Sequence, residues 1–408
     1  MKKNKISFST SIFIALVLGI VTGLLLQNHS NIATKYISPV GTVFLNLLKM
    51  IVVPVVLFSI IQGIISLKDI KKVGSIGLKT IAFYLATTVF AVFLGILFAN
   101  VLSVGGGYQL NTENLTAYEA AEPVSFIDTI VNMFPANWIS PLVNATMLQV
   151  IVLALFFGFG IIKSGEKGKP VADLTESFAN VSFCIMEGIL KFSPIGVYAL
   201  ITPVIATNGP SVLLPLFKLI AVVYLVSIVH IVLVYSSCVR FVGGIGPVTF
   251  FKGMLPAILF AFSSASSVGT LPLNMECTEK LGARQDVRSF VLPLGATINM
   301  DGTCIYQGIC AIFIAQIFGV DLTIADQLMI IITSTLASIG TAGVPGAGVI
   351  MLTMVLQSVG LPLEGIALIT GVDRILDMAR TTVNITGDAA CTICISHLEE
   401  LKEKKANA

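Results

Sequence analysis

Between Ile369 and Ile395 the residues Asp373, Asp377, Arg380, Asn384 and Asp388 follow one another at spacings of 4, 3, 4 and 4. At about 100° per helical residue they fall within an arc of about 80°, one polar stripe about 22 Å long. Ile375, Leu376, Met378, Val383, Ile385 and Ile393 occupy the same stretch, so the stripe runs through an apolar setting. Ionisable groups placed this way face a protein interior or a wet cavity and mark solute and ion paths. Arg380 carries a permanently charged planar fork suited to a carboxylate. Asp377, one turn away, suits an ammonium group. Together they match an acidic amino acid, a zwitterion with one further carboxylate; the alternative is that they neutralise each other as a structural pair. Asp388, with no basic neighbour on its face, is the better cation ligand.

A second cluster, Asn299, Met300, Asp301, Gly302 and Thr303, sits near the centre of an apolar segment from Val287 to Phe318. An aspartate there costs several kcal/mol unless it is paired or coordinates a cation. Gly302 is expected to loosen the helix and free carbonyl oxygens, while Asn299 and Asp301 add side-chain oxygens. Hard cations such as sodium prefer such oxygen clusters, by analogy with calcium and magnesium. The alternative is a polar plug satisfied by neighbouring helices. His230 reads as a packing histidine in preference to a proton relay.

Composition defines the elements that must hold these groups. Of 408 residues 55% are hydrophobic and 11% charged, against roughly 25% charged in soluble proteins. The apolar content suffices for at most roughly eleven spans of about 20 residues and leaves no room for a large soluble domain. The net charge of +2, from 24 basic and 22 acidic residues, gives no global field for nucleic acid. Seven cysteines lie in or beside apolar stretches, which argues against a disulfide framework.

Long apolar segments run at 7–26, 40–66, 78–102, 124–162, 172–203 and 211–239. Lysine-bearing loops at 67–79, 163–170 and 240–252 alternate with 27–39, 103–123 and 204–212, which hold a single basic residue among them, Lys35. That asymmetry places both termini in the cytoplasm. Two later apolar stretches, at about 253–277 and 327–361, are broken by Ser263 to Pro272 and by Ser338 to Gly346. Non-helical backbone at membrane depth is tolerated only inside protein or along a wet cavity, so each stretch reads as a re-entrant helical hairpin beside a solute site; the alternative is a pair of ordinary kinked helices. Entry from opposite faces is the pattern of an inverted-repeat transporter.

These motifs resemble the dicarboxylate/amino acid:cation symporter family, which includes the excitatory amino acid transporters and the archaeal aspartate transporters. Asn299 to Thr303 is similar, without a change, to that family's Asn-Met-Asp-Gly-Thr signature; Ser338 to Gly348 and Asp377 to Asp388 are similarly close. The resemblance covers the chain and is strongest from residue 253 onward. It implies an all-α polytopic membrane protein, glutamate-transporter-like, with eight transmembrane helices and two re-entrant hairpins. It also implies a homotrimer in which 1–66 and 124–203 form the trimerising scaffold. The transport domain would be 78–102 and 211–397, sliding like an elevator, with 398–408 a cytoplasmic tail.

By the same resemblance Ser266, Ser267, Thr303, Gly343, Asp377, Arg380, Thr381 and Asn384 would surround the substrate. One sodium ion (Na+) would take Gly295, Asn299, Asn384 and Asp388. Another would take Thr297, Met300 and carbonyls of Ser338, Ile339 and Thr341, and a third Tyr84, Thr87, Thr88, Asn299 and Asp301. Ala265 and Val268 interrupt the serine run usual at the first hairpin tip, a departure that bears on substrate fit. The function expected is sodium-coupled symport of aspartate or glutamate in a cytoplasmic membrane, with no enzymatic activity. The alternatives are sodium- or proton-coupled transport of cystine, a neutral amino acid or a dicarboxylate and, more distantly, a ligand-gated ion channel.

Overall fold

A computed structural model of the chain describes residues 8–66, 75–107, 131, 134–338 and 347–406. Among these residues the regular structure is helical and contains no β-strand. The longer helices are α1 (Phe8–Leu25), α2 (Ser38–Ser66), α3 (Ser75–Val101), α4 (Met147–Ser164), α5 (Lys169–Leu190), α6 (Ser193–Asn208) and α7 (Leu213–His230). They are followed by α8 (Pro247–Ser264), α9 (Ser267–Lys280), α10 (Gln285–Ile298), α11 (Asp301–Phe318), α12 (Ile324–Ser338), α13 (Ala347–Ser358) and α14 (Ile366–Ala406). Five helical runs among the described residues are long and apolar enough to cross a membrane, or six if the bent pair 14–25 and 27–44 is one span. Leu18, Val21, Leu25, Phe217, Leu225 and Ile228 are exposed. In water so much exposed apolar surface would be an aggregation liability; against lipid it is the expected outer face.

The helices pack in two groups. α1 lies on α6, and α2 lies on α4, α5 and α6. The remainder gather around α14, which meets α7, α8, α9, α10, α11 and α13. α11 is buried around almost its whole circumference, as a helix that is apolar all round must be.

Both expected broken stretches are helix pairs, α8 on α9 and α12 on α13. In the first, the break is shorter than the serine and glycine run implied. Only Ala265 and Ser266 leave the helical conformation, and Ser267 to Pro272 already belong to α9. Ala265 ends α8 in the left-handed region at φ 49°, a conformation that a Cβ disfavours. Ser266 then caps α9, its Oγ accepting the Gly269 N–H at 3.0 Å, one of the donors that a helix start leaves unsatisfied. The tip of the second pair, with Ile339, Thr341, Gly343 and Pro345, lies outside the described residues.

The break beside Asp301 also differs from expectation. Asn299 and Met300 are the non-helical residues, Asn299 extended at φ −82° and ψ 103° and Met300 at φ −124° and ψ 37°. Gly302 is helical. Its missing side chain serves another purpose, because a Cβ there would strike the Arg380 backbone, and glycine lets the start of α11 lie directly against α14.

Candidate functional site

α14 carries two polar centres. In the first, Arg380 is 1% exposed and its guanidinium faces two carboxylates of its own helix. Nη1 donates to Asp373 Oδ1 at 3.0 Å and Nε to Asp377 Oδ1 at 3.3 Å. The Tyr306 ring of α11 lies under the cation, 4.2 Å from guanidinium carbon to centroid, a contact worth about 0.5 to 2 kcal/mol. A Cβ at Gly348, in the first turn of α13, would overlap Nη1, so the second hairpin closes directly behind the fork. Nη2 sits 2.8 Å from Asp377 Oδ1 at ion-pair distance, yet off the line of a hydrogen bond, and is buried without an acceptor.

Arg374 links this centre to the first hairpin. Nη2 donates to the Ser264 carbonyl at 3.0 Å, and Nη1 stands 4.0 Å from Asp377 Oδ2. Taken alone, the pairing of Arg380 with Asp377 fits the reading that the two neutralise each other. Asp373 supplies a further negative charge and Arg374 a further positive one, so the four side chains balance in charge while Nη2 makes an ion pair and no hydrogen bond.

The second centre joins α3, α7, the α10–α11 break and α14. Asn299 Nδ2 donates to the Asn384 carbonyl and to Asp388 Oδ1, each at 2.9 Å. Asn299 Oδ1 is buried with no partner. Asn384 Oδ1 accepts the Gly302 N–H at 2.8 Å, and its Nδ2 reaches Met300 Sδ and Thr303 Oγ1, each at 3.4 Å. Asp301 takes the Thr88 hydroxyl on Oδ1 at 2.7 Å and the Tyr235 hydroxyl on Oδ2 at 2.8 Å, with His230 Nε2 3.2 Å from Oδ2. A Cβ at Gly295 would strike both Asp388 Oδ1 and Tyr84 Oη, which puts α3 and α10 against the same carboxylate. Asp301 and Asp388 are 0% and 2% exposed, and no lysine or arginine pairs with either among the described residues. Several kcal/mol per buried charge are left for something else to offset.

Most residues expected at the site therefore converge. Thr303, Asp377, Arg380, Thr381 and Asn384 are buried along α11 and α14, while Ser266 and Ser267 stand at the start of α9 beside Ser264, which Arg374 holds. Gly295, Asn299, Asn384 and Asp388 meet as a group. Of the set Tyr84, Thr87, Thr88, Asn299 and Asp301, Thr88 touches Asp301; Thr87 Oγ1 bonds the Tyr84 carbonyl and Tyr84 Oη the Val291 carbonyl. The set Thr297, Met300, Ser338, Ile339 and Thr341 is the least assembled: Thr297 Oγ1 bonds the Leu294 carbonyl of its own helix, Ser338 Oγ bonds the Thr335 carbonyl, and Ile339 and Thr341 lie outside the described residues.

Several contacts, that of Tyr235 with Asp301 among them, were not read from the pattern. Arg374 falls one residue past Asp373 and so about 100° off the stripe, although it stands three residues before Asp377. Tyr306 and Gly348 carry no spacing signal. His230, read as a packing histidine, is fully buried but touches Asp301. At the ends of the apolar segments, ion pairs join the end of the first hairpin to α10, and α10 and α3 to α14: Arg288 to Glu279, Arg284 to Asp286 and Glu403, and Lys79 to Glu399 at 2.7 Å. The hydrogen bond and charge of Arg288 hold the Glu279 carboxyl below its usual range.

A family model described as "Sodium:dicarboxylate symporter family" matches residues 8–398. The chain is 38% identical over 403 residues to the proton/sodium-glutamate symport protein of Geobacillus stearothermophilus, covering 97% of this chain and 95% of that protein. It is 37% identical over 419 residues to the proton/glutamate-aspartate symporter of Escherichia coli K12, at 99% and 96% coverage. With a C4-dicarboxylate transport protein of Bacillus subtilis strain 168 it shares 30% identity over 407 residues, at 98% and 96% coverage.

Proposed function

The chain belongs to the sodium:dicarboxylate symporter family, and from that premise we propose that it is a multi-pass membrane symporter coupling the entry of aspartate or glutamate to sodium. The observation that carries the substrate assignment is Arg380 Nη2, a buried cationic donor between two hairpins that has only an ion-pair contact with Asp377 Oδ1 and no hydrogen bond. A buried donor without a partner costs about 1 to 3 kcal/mol, more when charged, and a substrate carboxylate removes that cost. Asp377, whose Oδ2 is 4.0 Å from Arg374, is the acceptor for the substrate's ammonium group. A C4-dicarboxylate has no ammonium group to offer it. The main-chain carboxylate falls to Asn384 and to Ser266 and Ser267 at the start of α9, where unpaired backbone N–H groups favour an anion. Thr303 and Thr381 complete the set, and the resemblance adds Gly343, which lies outside the described residues.

Sodium is the second substrate. Asp301 and Asp388 supply charge without a basic partner, and Asn299 Oδ1 is a buried oxygen without a donor, the oxygen-rich chemistry a hard cation takes. One ion is assigned to Gly295, Asn299, Asn384 and Asp388, and another to Tyr84, Thr87, Thr88, Asn299 and Asp301. A further one goes to Thr297, Met300 and carbonyls of Ser338, Ile339 and Thr341. The architecture that accompanies this reading has eight spans and two re-entrant hairpins, both termini cytoplasmic. It forms a homotrimer held by 1–66 and 124–203, with 78–102 and 211–397 moving as an elevator. The packing of α1 on α6 and of α2 on α4, α5 and α6 supports that division.

Uptake of a radiolabelled panel into liposomes containing the purified protein tests the assignment. Aspartate or glutamate should accumulate when sodium is directed inward and not when choline replaces it, and excess succinate should not compete. Accumulation driven by a proton gradient alone would overturn the sodium assignment, and preferential uptake of succinate the substrate assignment.

A further inference from the structure

Asp301 is held from outside its own cluster by a helix with an unusual turn. Between Ile231 and Tyr235 the continuation of α7 widens: the Ser236 N–H reaches back five residues to the Ile231 carbonyl. Such single wide turns cluster at functional sites. Here the consequence is geometric. In a regular helix, residues five apart point about 140° away from each other; a turn closed over five residues brings them onto one face. His230 and Tyr235 are five apart, and both end on Asp301 Oδ2, at 3.2 and 2.8 Å. The two rings brace each other edge to face, with centroids 4.9 Å apart. Both side chains are fully buried. Gly387 of α14 provides the seat, since a Cβ there would strike Tyr235 Oη and Asn299 Nδ2.

The two carboxylate oxygens are thereby divided. A carboxylate oxygen accepts, so the hydrogen in the first contact is on His230 Nε2. Oδ2 takes two donors from α7, whereas Oδ1 is turned to Thr88, itself one of the proposed sodium ligands. We infer that His230 and Tyr235 are positioning residues for the sodium site of Tyr84, Thr87, Thr88, Asn299 and Asp301, fixing Asp301 through Oδ2 so that Oδ1 is presented to the ion. This rests on the proposed assignment of that site. The physical warrant is general: partners behind a coordinating carboxylate orient it, and removing one commonly weakens ion affinity by about 10- to 100-fold.

The test uses the purified full-length protein and reads two quantities: the sodium concentration giving half-maximal aspartate binding, and aspartate affinity at saturating sodium. Tyr235→Phe, which deletes one oxygen, and His230→Leu should each raise the sodium requirement by roughly tenfold or more, with aspartate affinity recovered at saturating sodium. His230→Gln keeps an N–H donor and should stay close to the wild type, which a histidine needed only for its ring volume would not predict. Unchanged sodium requirements in Tyr235→Phe and His230→Leu, or equal damage from His230→Gln and His230→Leu, would overturn the clamp. Should His230→Leu fail to fold, Tyr235→Phe decides. Asp301→Asn separates the two levels: if it raises the sodium requirement while Tyr235→Phe does not, the clamp alone is wrong. If Asp301→Asn leaves the requirement unchanged, the site assignment falls and the clamp with it.

Discussion

Arg380 and Asp388 are eight residues apart on one helix, about 12 Å along its axis, and their surroundings are charged in opposite ways. Around Arg380 two carboxylates face two guanidinium groups, and the donor without a hydrogen bond is Nη2, which has only its ion pair with Asp377. Around Asp388 and Asp301 the partners are hydroxyls, an amide and an imidazole, and what is left over is an acceptor, Asn299 Oδ1, beside two carboxylates. The first centre presents a donor and the second presents acceptors. Asn384 lies between them on α14, one turn from Arg380 and one turn from Asp388, and bonds Gly302 through one side-chain atom and Thr303 through the other; under the proposed assignment it would touch both substrate and ion.

The sharpest way to break the contrast is to remove the fork. Arg380→Thr should lose about 2 to 5 kcal/mol of binding for aspartate, since the substrate carboxylate is left unpaired. Uptake of acidic substrates would fall by well over tenfold while serine, alanine or cysteine become acceptable. Retained acidic preference in competition assays would make Arg380 a purely structural partner of Asp373 and Asp377. Next in size, Asp388→Asn should raise the sodium requirement for aspartate binding by about 10- to 100-fold, the range for a damaged ion site. An unchanged sodium titration would remove Asp388 from the ligand set.

Gly348→Ala sharpens the comparison from the hairpin side. The added methyl must displace the guanidinium, at about 1 to 3 kcal/mol of overpacking, so aspartate affinity should drop roughly tenfold with the sodium profile kept. A shifted sodium profile with intact aspartate affinity would place the disturbance at the wrong centre. The smallest effect belongs to neither centre. The Glu279 carboxyl is held below its ordinary range by Arg288, so its contribution to stability is present above the unfolded glutamate range and lost as pH falls through the lowered folded value. Arg288→Ala should therefore lower the thermal midpoint slightly at neutral pH, and the difference from wild type should vanish in acid. A difference that grew in acid would assign the pair the wrong sign.

The residues that were legible in the sequence are those whose chemistry is expensive in an apolar segment. Asp301, Asp377, Arg380 and Asp388 stand out because a buried charge must be answered by something, and helical periodicity placed the α14 stripe correctly. Local geometry was less legible. The run from Ser263 to Pro272 looks like a long turn, but Ser266 caps α9 and Ser267 opens it, and Pro272 lies inside that helix. Gly302 signals loosening by composition alone, and only the approach of the Arg380 backbone explains it. Tyr235 was invisible because its partnership with His230 depends on a widened turn, which no regular period encodes.

Titrating sodium at fixed aspartate, and aspartate at fixed sodium, by calorimetry on the purified protein is the most direct test of the two-centre account. Linkage requires the same factor in both directions: sodium should tighten aspartate binding, and aspartate should tighten sodium binding equally. Equal aspartate affinity in sodium and in choline would contradict the account at its centre.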